Sequence, residues 1–107
     1  MIPDQTILDE LVRRTVEAVH PLRIILFGSA ARGAMGPHSD LDVLVVMPDG
    51  CDRRAAIRII RRNLRGLGCA KDVVVILQSD VDQCRTNPWM IVHTALAEGR
   101  ELYRVAS

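Results

Sequence analysis

The chain has 107 residues, with 14 Lys or Arg against 13 Asp or Glu and a formal net charge of +1; that describes one small domain over residues 1–107 and excludes a global field for attracting nucleic acid. Apolar residues make up 49% and charged residues 25%, the balance of a folded protein, and no apolar run approaches the ~18 residues of a membrane span. A single Trp, Tyr and Phe leave the core to Val, Ile, Leu and Ala, and a domain this small supports a two-layer architecture.

Between Thr6 and His20, the residues Ile7, Leu8, Leu11, Val12, Val16 and Val19 recur at helical spacing. Asp4 and Thr6 are candidate caps, and Pro21 stops the helix just beyond His20. Residues 23–27 predict a short buried strand that ends at Gly28, and Ser29 begins a short helical turn. Residues 41–47 predict a second strand, closed by the turn signal Pro48-Asp49-Gly50. Residues 52–67 return to helical period, with Ala56, Ile57, Ile60, Leu64 and Leu67 on one face and Gly66 and Gly68 at the end. Residues 73–77 predict a third, β-branched strand. Asn87-Pro88 opens a last helix, with Asn as cap and Pro at the first helical position. Trp89 anchors it, Gly99 is placed to end it, and residues 101–104 predict a short edge strand.

This alternation predicts an α/β fold, a two-layer mixed β-sheet with helices. The second and third strands are apolar at both parities, so both sheet faces need cover. The last helix folding back, a partner protein or a second copy of the chain would each supply it.

The segment from Gly28 to Asp42 carries the chemistry. Asp40 and Asp42, at i and i+2 on a strand, point to one face with Cα atoms roughly 7 Å apart. Leu41, Val43 and Val45 take the opposite parity and bury against the helices. A carboxylate pair on an apolar strand is costly unless compensated, and a divalent cation compensates it well. Mg2+ takes hard oxygen ligands and keeps phosphates and waters as its other partners. Two such ions, ~3.5–4 Å apart, clamp the attacking and leaving oxygens of an in-line displacement at phosphorus. Asp72 opens the third strand, where a neighbouring strand would bring it beside Asp40 and Asp42. At the front of the segment, Gly28 lets the backbone approach a ligand closely, and the helical turn at Ser29 presents N–H groups and a hydroxyl to an anion. Arg32 either reaches a triphosphate or pairs with an acidic residue to fix the loop.

Gly28-Ser29, a ten-residue spacer and Asp40-Leu41-Asp42 resemble the signature of the DNA polymerase β-like nucleotidyltransferase superfamily. The fuller string, Gly28-Ser29-x-Ala31-Arg32-Gly33 followed by Ser39-Asp40-x-Asp42, is similar to its minimal nucleotidyltransferase branch. The resemblance covers essentially the whole chain, including the closing Glu98-Gly99-Arg100-Glu101-Leu102-Tyr103. Ala30 departs from it, standing where the branch often has a large or basic residue.

The resemblance implies the DNA polymerase β-like fold, two Mg2+ ions and ATP as nucleotide donor. Asp40 and Asp42 match the metal-bridging carboxylates. Asp72 matches the third metal ligand, which also accepts the proton of the attacking hydroxyl. Gly28 and Ser29 match the contacts to the nucleotide phosphates. Members of the branch typically act beside a HEPN-type partner as a toxin–antitoxin pair. The implied function is therefore an antitoxin that moves AMP from ATP to a hydroxyl, a tyrosine, of its HEPN toxin. Two other readings stay open: a binding module that neutralises the toxin by stoichiometric contact, and nucleotide transfer to a small molecule.

Other features carry less. His38 lies two residues before Asp40, but the superfamily chemistry does not need it, and His20 and His93 show no metal spacing. Cys51, Cys69 and Cys84 lack a C-x-x-C spacing, which speaks against a disulfide framework or a thiolate zinc site. The start from Met1 to Asp9 has neither a positive n-region nor an apolar h-region, so a cytoplasmic protein is expected. Arg53, Arg54, Arg58, Arg61, Arg62 and Arg65 cover most of the non-core surface of the middle helix. That surface is either a solvated face or a docking surface for an acidic partner or RNA.

Overall fold

In the computed structural model, which describes residues 5–27, 41–67, 71–84 and 99–105, the first helical pattern becomes α1 (Gln5–Val19). It ends where expected. The His20 amide bonds the Val16 carbonyl at 3.0 Å while His20 itself takes φ 50°, the left-handed capping conformation more usual for glycine. Pro21 disfavours the right-handed helical conformation at the residue before it, so the helix cannot continue.

Strands β1 (Arg23–Phe27) and β2 (Leu41–Met47) have the bounds expected from sequence. Between β2 and β3, α2 (Arg53–Asn63) starts at the cap Asp52, whose carboxylate accepts from the Arg54 and Ala55 amides at 3.0 and 3.2 Å. This helix is shorter than its apolar period. Residues 64–66 form a turn instead, and Gly66 takes φ 79°, a conformation that reverses the chain while Leu64 and Leu67 still reach the core.

Strand β3 (Lys71–Leu77) begins two residues earlier than the β-branched run. Parallel pairing with β2 extends it, because Leu41 and Asp42 offer partners to Lys71 and Asp72. A short helix, α3 (Gln78–Cys84), was not expected from periodicity. The Asp80 carboxylate accepts from the Leu77 amide at 3.0 Å, and Asp49 accepts from the Ser79 amide at 3.0 Å. Its start is therefore set partly by the distant turn after β2. The closing strand β4 (Arg100–Arg104) is an edge strand, as expected. The helix expected from Asn87-Pro88, with Trp89 and His93, lies outside the described residues.

The sheet order is β3-β2-β1-β4. β1 runs antiparallel to β2 and β4, and β2 runs parallel to β3, so the sheet is mixed as expected. α1 and α2 pack together over one face. There Leu8, Leu11, Ala56 and Ile60 meet Ile24, Leu26, Val43, Val45, Val73 and Val75. On the other face Ile25, Leu44, Val46 and Ile76 gather with Val81 of α3. Both parities of β2 are thus buried by this chain itself, without a second copy.

Arg14 ties the two helices together. It donates to the Asn63 and Arg65 carbonyls at 3.4 and 3.0 Å, where α2 ends, and to Glu10 at 2.8 Å. Arg13 also bonds Glu10. The Arg13 bond first, then that of Arg14, hold the Glu10 carboxyl down to about 2. Across the sheet edge Glu101 takes Arg23 of β1 and Arg104 of β4. Burial pushes this carboxyl up, but bonds from Arg104 and Arg23 outweigh that and hold it below the usual range.

The buried face of α1 contains one polar residue, Thr15, whose hydroxyl has no hydrogen-bond partner. A buried unpaired hydroxyl costs about 1–3 kcal/mol. Thr15→Val is therefore expected to raise the denaturant-unfolding free energy by roughly 1 kcal/mol, whereas Ile60→Ala, at a fully buried position, should lower it by about 2–5 kcal/mol. The Glu10 pairing sets a pH window. Because its folded pKa is depressed, its contribution is complete above the ordinary carboxylate value and is lost as pH falls towards about 2. A side-chain NMR titration should place the Glu10 midpoint near that value, and a midpoint near the ordinary 4.5 would contradict the pairing.

Candidate active site

Strand parity sets the site. Val43, Val45 and Met47 of β2 face α1 and α2, so Asp42 shares the other face with Leu44 and Val46. In β3, Val73, Val75 and Leu77 face the two helices, and Asp72 shares the other face with Val74 and Ile76. The parallel register pairs Asp42 directly with Asp72. Neighbouring strands lie about 4.8 Å apart, so both carboxylates stand side by side on one sheet face.

The antiparallel register of β1 adds a third member, since Phe27 pairs with Asp42. Phe27, Asp42 and Asp72 form one row across three strands, where β1 ends and β2 and β3 begin. The row lies at the margin of the apolar cover. Further along β2, Leu44 is 1% and Val46 0% exposed, whereas Asp42 and Phe27 are half-buried and Asp72 is exposed. A carboxylate there keeps access to solvent and ligands while its backbone is held by the sheet.

Asp72 is expected from sequence at the opening of the third strand; it is the second residue of β3, fixed by pairing on the β2 side. Its placement beside Asp42 agrees with the expectation. Gly28, Ser29, Arg32 and Asp40 lie outside the described residues, as do His38 and Cys69. In sequence, residues 28–40 join Phe27 to Leu41, the two strand ends that flank the row. The local sequence pattern marks Phe27 only as the end of a strand. Its place beside Asp42 depends on register, which the local pattern does not contain.

Two hard-oxygen carboxylates in register on one face repel each other, and a divalent cation between such groups removes that repulsion. The donor set therefore fits Mg2+ in kind. Among the described residues no group of three His, Cys, Asp or Glu is arranged to hold a metal ion. The remaining carboxylate of the sequence motif, Asp40, stands immediately before β2. His20 is exposed at the end of α1, and Cys51 is a free, half-buried thiol beside the core.

A family model described as a nucleotidyltransferase domain matches residues 6–102. The chain is 35% identical over 86 residues to the bifunctional uridylyltransferase/uridylyl-removing enzyme of Burkholderia thailandensis, an alignment covering 76% of this chain and 10% of that protein. The chain thus spans about a tenth of the length of the curated relatives it matches. Among solved structures, a toxin–antitoxin with AMP-PNP superposes with a TM-score of 0.67 at 19% identity, covering 92% of this chain and 73% of that one. The tri-AMPylated Shewanella oneidensis HEPN toxin in complex with its MNT antitoxin gives 0.62 at 18% identity, covering 94% and 72%. These likenesses establish a shared fold. With the family match extending over nearly the whole chain, including the Asp42–Asp72 row, the protein belongs to the nucleotidyltransferase domain family.

Proposed function

We propose that this chain is an Mg2+-dependent nucleotidyltransferase that moves AMP from ATP to a hydroxyl of a partner protein, as the antitoxin of a HEPN toxin. The observation that carries the reading is the register that sets Asp42 beside Asp72 at the open margin of the sheet. The fold shared with complexes of MNT antitoxins and HEPN toxins supports the choice of partner. The AMP-PNP of a similar complex supports an adenine nucleotide.

In this reading Asp40, Asp42 and Asp72 are the metal-binding and catalytic carboxylates. Two Mg2+ ions, when bound, neutralise the triphosphate and lower the pKa of the attacking hydroxyl. Asp72 is exposed, so a hydroxyl brought by a second protein can approach it and give up its proton to the carboxylate. The hydroxyl oxygen then bonds to the α-phosphorus of ATP, the bond to the bridging oxygen breaks, and pyrophosphate leaves. Gly28 and Ser29, with Arg32, grip the phosphates through backbone N–H groups, a hydroxyl and a guanidinium. Asp42 is held by strands on both sides, which orients its carboxylate before substrate arrives.

The uridylyltransferase relative favours a second donor, UTP. The two readings share the site and differ in the base, so labelled ATP and UTP compared side by side separate them.

Metal binding can be checked without turnover. At ten times its Kd, Mg2+ should stabilise the chain by about 1.4 kcal/mol, a rise in Tm of roughly 5 °C or more. In Asp72→Asn that rise should fall by at least half, and an unchanged rise would remove Asp72 from the metal site. For the reaction, the chain is incubated with labelled ATP, Mg2+ and a HEPN-domain protein of the same genome, and the partner is analysed by mass spectrometry. The expected product is one or more added AMP groups on hydroxyl side chains. Asp42→Asn should reduce the rate on the order of 100-fold or more while leaving the circular dichroism spectrum unchanged. A variant that transfers normally would sink the enzymatic reading, and full toxin neutralisation by a transfer-dead variant would favour stoichiometric binding.

A further inference from the structure

The exposed side of α2 concentrates positive charge. With Ala56, Ile60 and Leu64 in the core, the 3.6-residue period places Arg54, Arg58, Arg61, Arg62 and Arg65 together on the opposite flank. All five are exposed. The stripe runs about 16 Å along the helix and its terminal turn. Arg53 points elsewhere, with its guanidinium 3.9 Å from Asp80.

Four arginines elsewhere in the fold have carboxylate partners, Glu10 for Arg13 and Arg14 and Glu101 for Arg23 and Arg104, whereas Arg100 stands alone on the edge strand among the described residues. Among the described residues, none of the five stripe guanidinium groups has one. The spacing works against the helix. Arg54 with Arg58, Arg58 with Arg61 and Arg62, and Arg65 with Arg61 and Arg62 are like charges three or four residues apart, each pair repulsive. The Asp52 cap offsets the helix dipole at the first turn, and Arg61 and Arg62 lie in the last turn where the dipole favours them, so the repulsion comes from the arginines' own spacing. Water and salt screen part of this repulsion, and an anionic partner turns it into attraction.

Three features select the kind of anion. The chain has a net charge of +1 and a pI near 7.8, below the strongly basic balance of a domain that binds nucleic acid. α2 offers no aromatic ring on which a base could stack. Ile59, 38% exposed, borders the stripe together with half-buried Ala55, and an apolar side chain beside arginines is the composition of a protein interface. Guanidinium forks match carboxylates as two-point partners.

We propose that this stripe is a docking face for an acidic protein surface, one that presents a row of carboxylates with an apolar side chain to cover Ile59. α2 covers the sheet face opposite the one that carries Asp42 and Asp72. A protein docked there leaves the carboxylate row open, so the inference holds whether or not the chain transfers nucleotides.

The test uses fluorescence anisotropy on the intact chain with three probes. One is a helical peptide with glutamates at i, i+4, i+7 and i+11 and a leucine beside them; the second replaces that leucine with serine; the third is a single-stranded RNA oligonucleotide. The leucine peptide should bind most tightly, and more weakly as salt rises. Arg58→Ala/Arg62→Ala removes two charges at exposed positions and puts in the best helix former, so the fold is kept. It should weaken the leucine peptide about fivefold or more. Ile59→Ser should weaken the leucine peptide several-fold and leave the serine peptide unchanged. Tighter binding of RNA than of either peptide would overturn the proposal in favour of a nucleic-acid face. Peptide binding that ignores these substitutions, or no binding by any probe, would overturn it outright.

Discussion

The parallel pairing of β2 with β3 is the constraint on which the candidate site depends. The two strands align residue by residue from Leu41 with Lys71 to Met47 with Leu77. A shift of one residue would turn Asp72 towards α1 and α2 and bring Val73 to the other face. Such a slip would bury a carboxylate among Leu11, Ile60 and the valines of the first cluster, at a cost far above that of losing a few contacts. Packing on one side of the sheet therefore protects the geometry on the other. Asp42 and Asp72 stay side by side because Val43, Val45, Val73 and Val75 must stay inside.

The same logic explains why the candidate site lies at one end of the sheet. β2 is flanked by strands on both sides and buried on both faces along Leu44–Met47. At its start, beside the end of β1, the apolar cover gives way to half-buried Asp42 and Phe27 and, on β3, to exposed Asp72. A rigid backbone with accessible carboxylates suits chemistry in which the protein mainly positions groups and compensates charge. The opposite layer has another character. Arg14, held by Glu10, ties α1 to the end of α2, while the outer flank of α2 carries arginines that none of the described carboxylates pairs. Transfer and recognition can thus occupy separate faces of a small domain.

Much of this architecture was legible in the residues. The strands at Arg23–Phe27 and Leu41–Met47 show as apolar runs bounded by Pro21, Gly28 and Pro48-Asp49-Gly50, and Asp52 announces the start of α2. Less legible was anything set by distant contacts. Among the described side chains of α3, Val81 is the buried apolar one, and the helix start is held by Asp49, which is distant in sequence, so no helical period marks it. The two extra residues of β3 are polar and join the strand through pairing with β2. Thr15 falls on the core side of α1 with Leu8 and Leu11, although its hydroxyl gives it no apolar signature. For the site, Asp42 could be read from spacing and parity, and its alignment with Asp72 could be anticipated. The inclusion of Phe27 required the register itself.

A paramagnetic titration tests most directly whether register and parity build a metal site. Mn2+, a substitute for Mg2+ at oxygen ligands, would be added to isotopically labelled protein while amide resonances are followed by NMR. The signals of Phe27, Asp42 and Asp72 should broaden together at substoichiometric metal. Those of Arg58, Ile60 and Leu11, on the far side of the sheet, should persist. Broadening centred elsewhere, or an even loss of signal across the chain, would contradict a metal site built this way.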